Sequence, residues 1–182
     1  MTNVTAFPEI RSATVADATR LATFGTRLFK ETFGEFNTPE DMEDYLNSNY
    51  SPEKQKAEFS DSDMHTLIAE FDDHLIGYSQ IHRKEPPGFE LGKYPLELQR
   101  FYVGHPWQGT GLAQKLMEAT IVEAKGFGGS AIWLSVWEEN QRAIAFHKKR
   151  GFLDIGTKDF WVGNDRQTGS CDDDNNRSLI AP

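Results

Sequence analysis

The chain has 182 residues, a formal net charge of −9, and 38% hydrophobic and 26% charged residues. That length suits one domain with a real core, and the acidic balance argues against nucleic acid or an anionic membrane as the main partner. No apolar run approaches the roughly 18 residues of a membrane span, the N-terminal stretch lacks a signal-peptide core, and the single Cys171 excludes an intramolecular disulfide framework and a Cys-based zinc site, so a cytoplasmic location is expected.

Residues 8–14 read as a first strand. Over 14–33, Leu21, Phe24, Leu28 and Phe29 recur at helical spacing, with Thr14 or Asp17 as the cap. Residues 37–60 read as two short helices. Thr38-Pro39-Glu40 and Ser51-Pro52-Glu53 each place a capping side chain before a proline at the first helical position. These helices are acidic, with Glu40, Asp41, Glu43, Asp44, Glu53 and Glu58. Apolar runs at 67–71 and 75–81 flank Asp72-Asp73 and predict a hairpin. A Pro/Gly-rich loop follows, then a strand at 96–103. Simple alternation puts Leu98 and Tyr102 on one face and Glu97, Gln99, Phe101 and Val103 on the other.

A loop with three punctuating residues, Pro106, Gly109 and Gly111, leads into a helix running to about Lys125. That helix sets Ala113, Leu116, Met117, Thr120, Ile121 and Ala124 on one face, and Gly126, Gly128 and Gly129 stop it. Residues 130–137 are apolar on both faces, which marks a central strand covered on both sides. Residues 140–150 read as a helix ending in three cations before Gly151, matching its dipole and its cap. Residues 152–163 form a further strand region. Residues 163–182 are a polar segment in which 169–179 make a poor strand. The last strand is therefore expected to be short, near Ser178 to Ile180, or its edge to be completed by other means such as a partner chain. The whole is expected as a single α/β domain over 1–182, with a mixed sheet of six to seven strands and four to five helices.

The loop at Gly109-Thr110-Gly111 lies between a strand and a helix. A helix N-terminus leaves about four N–H groups unpaired and carries a partial positive charge. Glycines let the main chain approach a ligand, so such a loop builds a phosphate site from backbone alone. A P-loop is disfavoured because no Gly-Lys-Ser/Thr ending is present. The dinucleotide fingerprint fails because Gln114 stands where its third glycine belongs.

Two motifs sharpen this reading. Gln108-Gly109-Thr110-Gly111-Leu112-Ala113 and, some thirty residues on, Asn140, Ala143, Phe146, His147, Gly151 and Phe152 resemble, in order and spacing, the two signature motifs of the GNAT superfamily of N-acetyltransferases. The resemblance covers about residues 8–162. It implies a GNAT-type acyltransferase fold with acetyl-CoA as co-substrate. It also implies that main-chain groups of Phe101, Tyr102 and Val103 pair with the pantetheine arm. Amides from Gly109 to Gln114, including Thr110, Leu112 and Ala113, then hold the pyrophosphate, and Asn140 contacts the cofactor near its thiol. The Val103 amide is the implied oxyanion donor. The region 27–46 with 98–103 is similar to the PaiA-type spermidine/spermine N-acetyltransferases. That favours a polyamine or another small cationic amine as acceptor. A peptide or protein Nα- or Lys-acetyltransferase and a non-catalytic acetyl-CoA sensor are the alternatives. Family members often dimerise, so a homodimer is an expectation.

Acetyl transfer to an ammonium of pKa roughly 10 requires a base. Glu97 is the first candidate, because alternation aims it with Phe101 and Val103 and its spacing from the glycine loop matches a catalytic glutamate of some family members. Glu31 and Glu35, near the end of the first helix, are the others. The family's motif tyrosine, a general acid for the thiolate, is His147 in this chain, and an imidazolium of reference pKa ~6.5 is a competent donor. The five histidines show no metal-ligand spacing, so no metal is expected.

Overall fold

The computed structural model describes residues 8–88, 90–162 and 165–174, with side chains described as far as residue 156. In chain order the elements are β1 (Glu9–Ser12), α1 (Ala18–Phe33), α2 (Pro39–Tyr50), α3 (Pro52–Ser60), β2 (Met64–Phe71), β3 (His74–Arg83), β4 (Pro95–Val103), α4 (Leu112–Gly126), β5 (Ala131–Trp137), α5 (Gln141–Lys149), β6 (Phe152–Val162) and β7 (Asp165–Asp174). Short 3-10 turns occupy Val15–Asp17, Gly34–Phe36 and His105–Trp107.

Local chemistry explains the boundaries. The Thr38 and Ser51 hydroxyls accept from the amides of Asp41 and Lys54, each at 3.2 Å, and so cap α2 and α3 ahead of Pro39 and Pro52. Before α1, the Asp17 carboxylate accepts from the Thr14 amide at 2.9 Å and from both Arg11 nitrogens, tying the helix start to β1. The β2–β3 turn holds Asp72 and Asp73 at φ of 48° and 62°. Aspartate tolerates this left-handed region, and the twist of such a turn matches that of a hairpin.

The seven strands among the described residues join one sheet in the order β1-β2-β3-β4-β5-β7-β6. Each neighbouring pair is antiparallel except β4 with β5. Helices cover both faces. Tyr78 of β3 packs with Leu21 and Phe24 of α1, while Ser79 Oγ lies 2.6 Å from Thr120 Oγ1 of α4. Helix α5 joins α4 on that second face through Ala143, Ile144 and Phe146. Helix α2 lies on α1, with Met42, Leu46 and Tyr50 against Phe29 and Phe33.

Two features of the sheet differ from the sequence-based expectation. The last described strand is neither short nor near residues 178–180, which lie outside the described residues. It is β7, built from the polar run Asp165–Asp174, and it inserts between β5 and β6. A strand paired on both edges satisfies its whole backbone, and that ladder outweighs poor intrinsic strand propensity. The second difference is in β4. Ile81 pairs with Leu98 but Gln80 pairs with Arg100, so Gln99 is an extra residue, a bulge. The bulge reverses the alternation beyond it. Phe101 packs with Leu96 and Leu98 on the α4–α5 face, and Val103 stands beside Leu116 of α4 around Gly77 on that same face. Glu97 pairs with His82 and Arg100 with Gln80, which places both with Tyr102 on the α1–α3 face.

Candidate functional site

Strands β4 and β5 pair only over Pro95–Glu97 and Ala131–Trp133. Beyond those residues they splay, and the gap is a cleft of ≈ 450 Å³. Its walls are Leu98 to Val103 on one side and Leu134 to Trp137 on the other, with α1 contributing Leu28, Glu31 and Phe33 and α5 contributing Ala143, Phe146 and His147.

The main chain of β4 offers hydrogen bonds to this cleft in alternation. The Gly104 amide donates to the Ile76 carbonyl at 2.8 Å, and Tyr78 stands opposite Tyr102. Antiparallel ladders alternate bonded and non-bonded pairs. The groups of Tyr102 therefore face β3, while those of Phe101 and Val103 face the side where β5 has parted. Of the three residues expected to pair with a pantetheine arm, Phe101 and Val103 turn their main chain toward the cleft. Tyr102 instead sends its side chain to the α1–α3 face, where its hydroxyl lies 3.3 Å from that of Tyr50.

At the far end of the cleft, Gly109 and Gly111 adopt φ of 78° and 91°. Gly111 is the N-cap of α4 and provides no capping side chain. The first-turn amides of Leu112, Ala113 and Gln114 consequently point outward from the helix start. The Thr110 amide is engaged with the Trp107 carbonyl at 3.4 Å, and its hydroxyl donates to the same carbonyl at 2.7 Å. The Leu112 side chain is buried in the core with Ala69 and Ile76, and Gln114 donates along the surface to Glu118 at 2.9 Å. Of this loop, Gln108, Gly109 and Ala113 line the cleft itself. A backbone cradle with positive-φ glycines fits a pyrophosphate, and the cleft-facing main chain of Phe101 with the Val103 amide fits an extended amide-bearing arm.

Gln108 does more than its motif position suggested. Its Nε2 donates to the Val103 carbonyl at 3.1 Å, and its Oε1 accepts from Arg142 of α5. The side chain therefore bridges the two sides of the cleft mouth. Asn140 caps α5, its Oδ1 accepting from the Ala143 amide at 3.2 Å, and it lines the cleft.

The acid–base candidates separate. Glu97 does not line the cleft; it is 5% exposed, and Lys84 Nζ donates to its Oε2 at 2.9 Å. The bulge at Gln99 is the reason, because it turns Glu97 away from the face of Phe101 and Val103. Glu31 does line the cleft, 3.8 Å from its helical neighbour Arg27; Glu35 is exposed on the 3-10 turn after α1 and is not among the cleft-lining residues. His147 lines the cleft and is 6% exposed, edge-on to the rings of Phe101, Phe146 and Phe152 at 5.3–6.1 Å. Its Nδ1 is buried without a hydrogen-bond partner. Burial lowers its pKa to about 4, so near neutral pH it is an imidazole and not the imidazolium expected from its reference value.

Composition concealed one feature, a buried charged network behind the bulge. Arg100 Nη1 donates to Glu58 Oε2 and Gln80 Oε1, each at 2.6 Å, and Nη2 donates to the Asn49 carbonyl at 2.9 Å. Its guanidinium lies over the Tyr50 ring at 4.8 Å. Nothing in the pattern of residues 96–103 distinguishes a buried arginine from a surface one. Trp137, Phe33 and Arg142 also line the cleft without any motif announcing them. Among the described residues, no three His, Cys, Asp or Glu side chains converge as metal ligands, and no helix is long and apolar enough to cross a membrane.

Comparison with known proteins places this cleft in context. The model of the acetyltransferase (GNAT) family matches residues 26–152. An uncharacterized N-acetyltransferase in the pepI 3′ region of Lactobacillus delbrueckii subsp. lactis is 30% identical over 140 residues, covering 77% of this chain and 81% of that protein. The spermine/spermidine N(1)-acetyltransferase of Bacillus subtilis is 36% identical over 64 residues, 35% of this chain and 42% of that protein. The crystal structure of PaiA N-acetyltransferase from Thermoplasma acidophilum in complex with coenzyme A shares the fold, with a TM-score of 0.73 at 22% identity, covering 92% of this chain and 98% of that one.

Proposed function

This chain belongs to the GNAT family of acetyltransferases, and from that membership we propose that it moves the acetyl group of acetyl-CoA onto the primary amine of a small cationic acceptor, polyamines among the candidates. The observation that carries the reading is the pair of cleft-facing peptide groups at Phe101 and Val103, leading to the uncapped start of α4. The Bacillus subtilis relative, named for spermine and spermidine, supports an amine acceptor.

When bound, acetyl-CoA supplies an activated acyl carbon and a thiolate leaving group. The chain's own groups then have separable tasks. First-turn amides of α4 hold the pyrophosphate through charge–dipole attraction, and Asn140 contacts the cofactor from the α5 side. The acceptor enters as an ammonium, and Glu31 takes its proton, directly or through one water, to free the nitrogen lone pair. As the C–N bond forms, the Val103 amide bears the developing oxyanion charge. The C–S bond then breaks, sulfur leaves as thiolate, and the acylated nitrogen gives up its second proton to solvent, leaving a neutral amide. The neutral imidazole of His147 bears a hydrogen bond there and releases no proton.

The test is free-thiol release from acetyl-CoA with a panel of amines including spermidine, spermine and N-terminal peptides. Glu31→Gln is expected to lower kcat/KM about a hundredfold and to flatten the acidic limb of the pH–rate profile. Glu97→Gln is expected to keep that limb. A limb lost in Glu97→Gln and kept in Glu31→Gln would return the base role to Glu97.

A further inference from the structure

The wall of the cleft beside Glu31 is aromatic, and its order is informative. Tyr45 of α2 stacks on Phe29 of α1 at 4.6 Å, and Phe29 meets Phe33 at 4.5 Å. Phe33 meets Trp137 at 5.3 Å, and Trp137 meets Phe36 edge-on at 4.7 Å. One row of five rings thus runs from the α1–α2 core, where Phe29 and Phe33 are buried, out to Phe36, which is 57% exposed. Phe33, Trp137 and Glu31 all line the cleft. The buried end fixes the exposed end, because packed aromatic rings hold their rotamers.

We infer that this aromatic row and Glu31 together select an acceptor whose primary amine is carried within two or three carbons of an aromatic ring. The inference rests on the acetyl-transfer reading above and sharpens its acceptor. Glu31 supplies charge complementarity to a single ammonium group. Trp137 presents a cleft-lining ring against which a second ring packs offset or edge-on, and Phe36, outside the cleft-lining residues, extends that shelf through its edge-on contact with Trp137. The outermost ring, Phe36, keeps most of its surface exposed to water, a cost that such an acceptor would relieve. An acceptor made of methylenes and further ammonium groups fills the same shelf less well, because its thin chain buries less apolar surface against the rings than a second ring does.

The experiment compares phenethylamine, ethylamine and spermidine as acceptors for the full chain with acetyl-CoA, read by thiol release, together with a peptide bearing N-terminal alanine. Phenethylamine is expected to exceed ethylamine in kcat/KM by at least about tenfold, the scale of one apolar group in a pocket. Phe36→Ala should lower kcat/KM for phenethylamine about tenfold more than for ethylamine, through KM, and Phe36→Trp should restore the ratio. The KM for acetyl-CoA reports whether the cofactor half of the cleft is intact in each variant. Equal kcat/KM for phenethylamine and ethylamine would overturn the inference, as would faster turnover of spermidine or the peptide, or an unchanged ratio in Phe36→Ala. Thiol release with none of the amines would instead strike the acetyl-transfer reading. Calorimetric binding of phenethylamine, weakened in Phe36→Ala, then reads the aromatic shelf separately: its presence supports the shelf, and its absence overturns it.

Discussion

His147 carries a protonation cost that is measurable without any substrate. Its folded pKa is about 4, lowered by burial among Phe101, Phe146 and Phe152, against an unfolded value near 6.5. Between these two values the unfolded chain binds more protons than the folded one, so stability rises with pH through that window. Conversely, stability is lost as pH falls from about 6.5 to about 4, by up to about 3 kcal/mol. His147→Gln, with no charge to gain, should flatten the dependence in this window when unfolding by urea is followed across pH. An unchanged slope would show that other groups govern it. Motif spacing singled out this residue, and it lies on the cleft wall. What spacing lacks is the surroundings, since the same imidazole would donate a proton from a solvated helix face and withholds it between three phenyl rings. Glu97 and Arg100 make the same point. Both are polar letters in an alternating strand, and a single unpaired residue, Gln99, decides which face each one meets.

At the scale of elements, the helices and the hairpin were readable because their signals are local. Thr38 and Ser51 cap where their sequences predict, and replacing both by alanine should cost about 1 kcal/mol each in chemical denaturation. The start of α4 was readable for a less common reason, the absence of a capping side chain. Gly111→Ala tests its use. A β-carbon at φ of 91° costs roughly 1–2 kcal/mol of strain, and relief of that strain tilts the first-turn amides. The expected result is a rise of about tenfold in KM for acetyl-CoA with little change in KM for the amine. Parallel rises in both constants would mean general loosening rather than a phosphate cradle. The β4 bulge was not readable, because register is set across strands by pairing partners and not along one of them.

For the whole molecule, the order of the sheet explains both the cleft and the misread C-terminal segment. A parallel pair that stays together for three residues and then parts leaves two walls and cleft-facing main chain at Phe101 and Val103. β5 can part from β4 because its other edge is held by β7, from Trp133 against Asp173 to Trp137 against Gly169. Hydropathy could not reveal that role, since Gly169 to Asp174 has nothing apolar but Cys171. Truncation before Asp165 should therefore abolish cooperative unfolding, because β6 attaches to the sheet through β7. A truncated chain that melts like the full one would show that β6 can dock directly on β5.

The insertion of β7 also sets a schedule. Of the described strands it comes last in the chain yet lies inside the sheet, so during synthesis β5 waits with one long edge unpaired after every element before it has emerged. Chains are made at only about 5–20 residues per second, and an open edge is a template for the wrong neighbour.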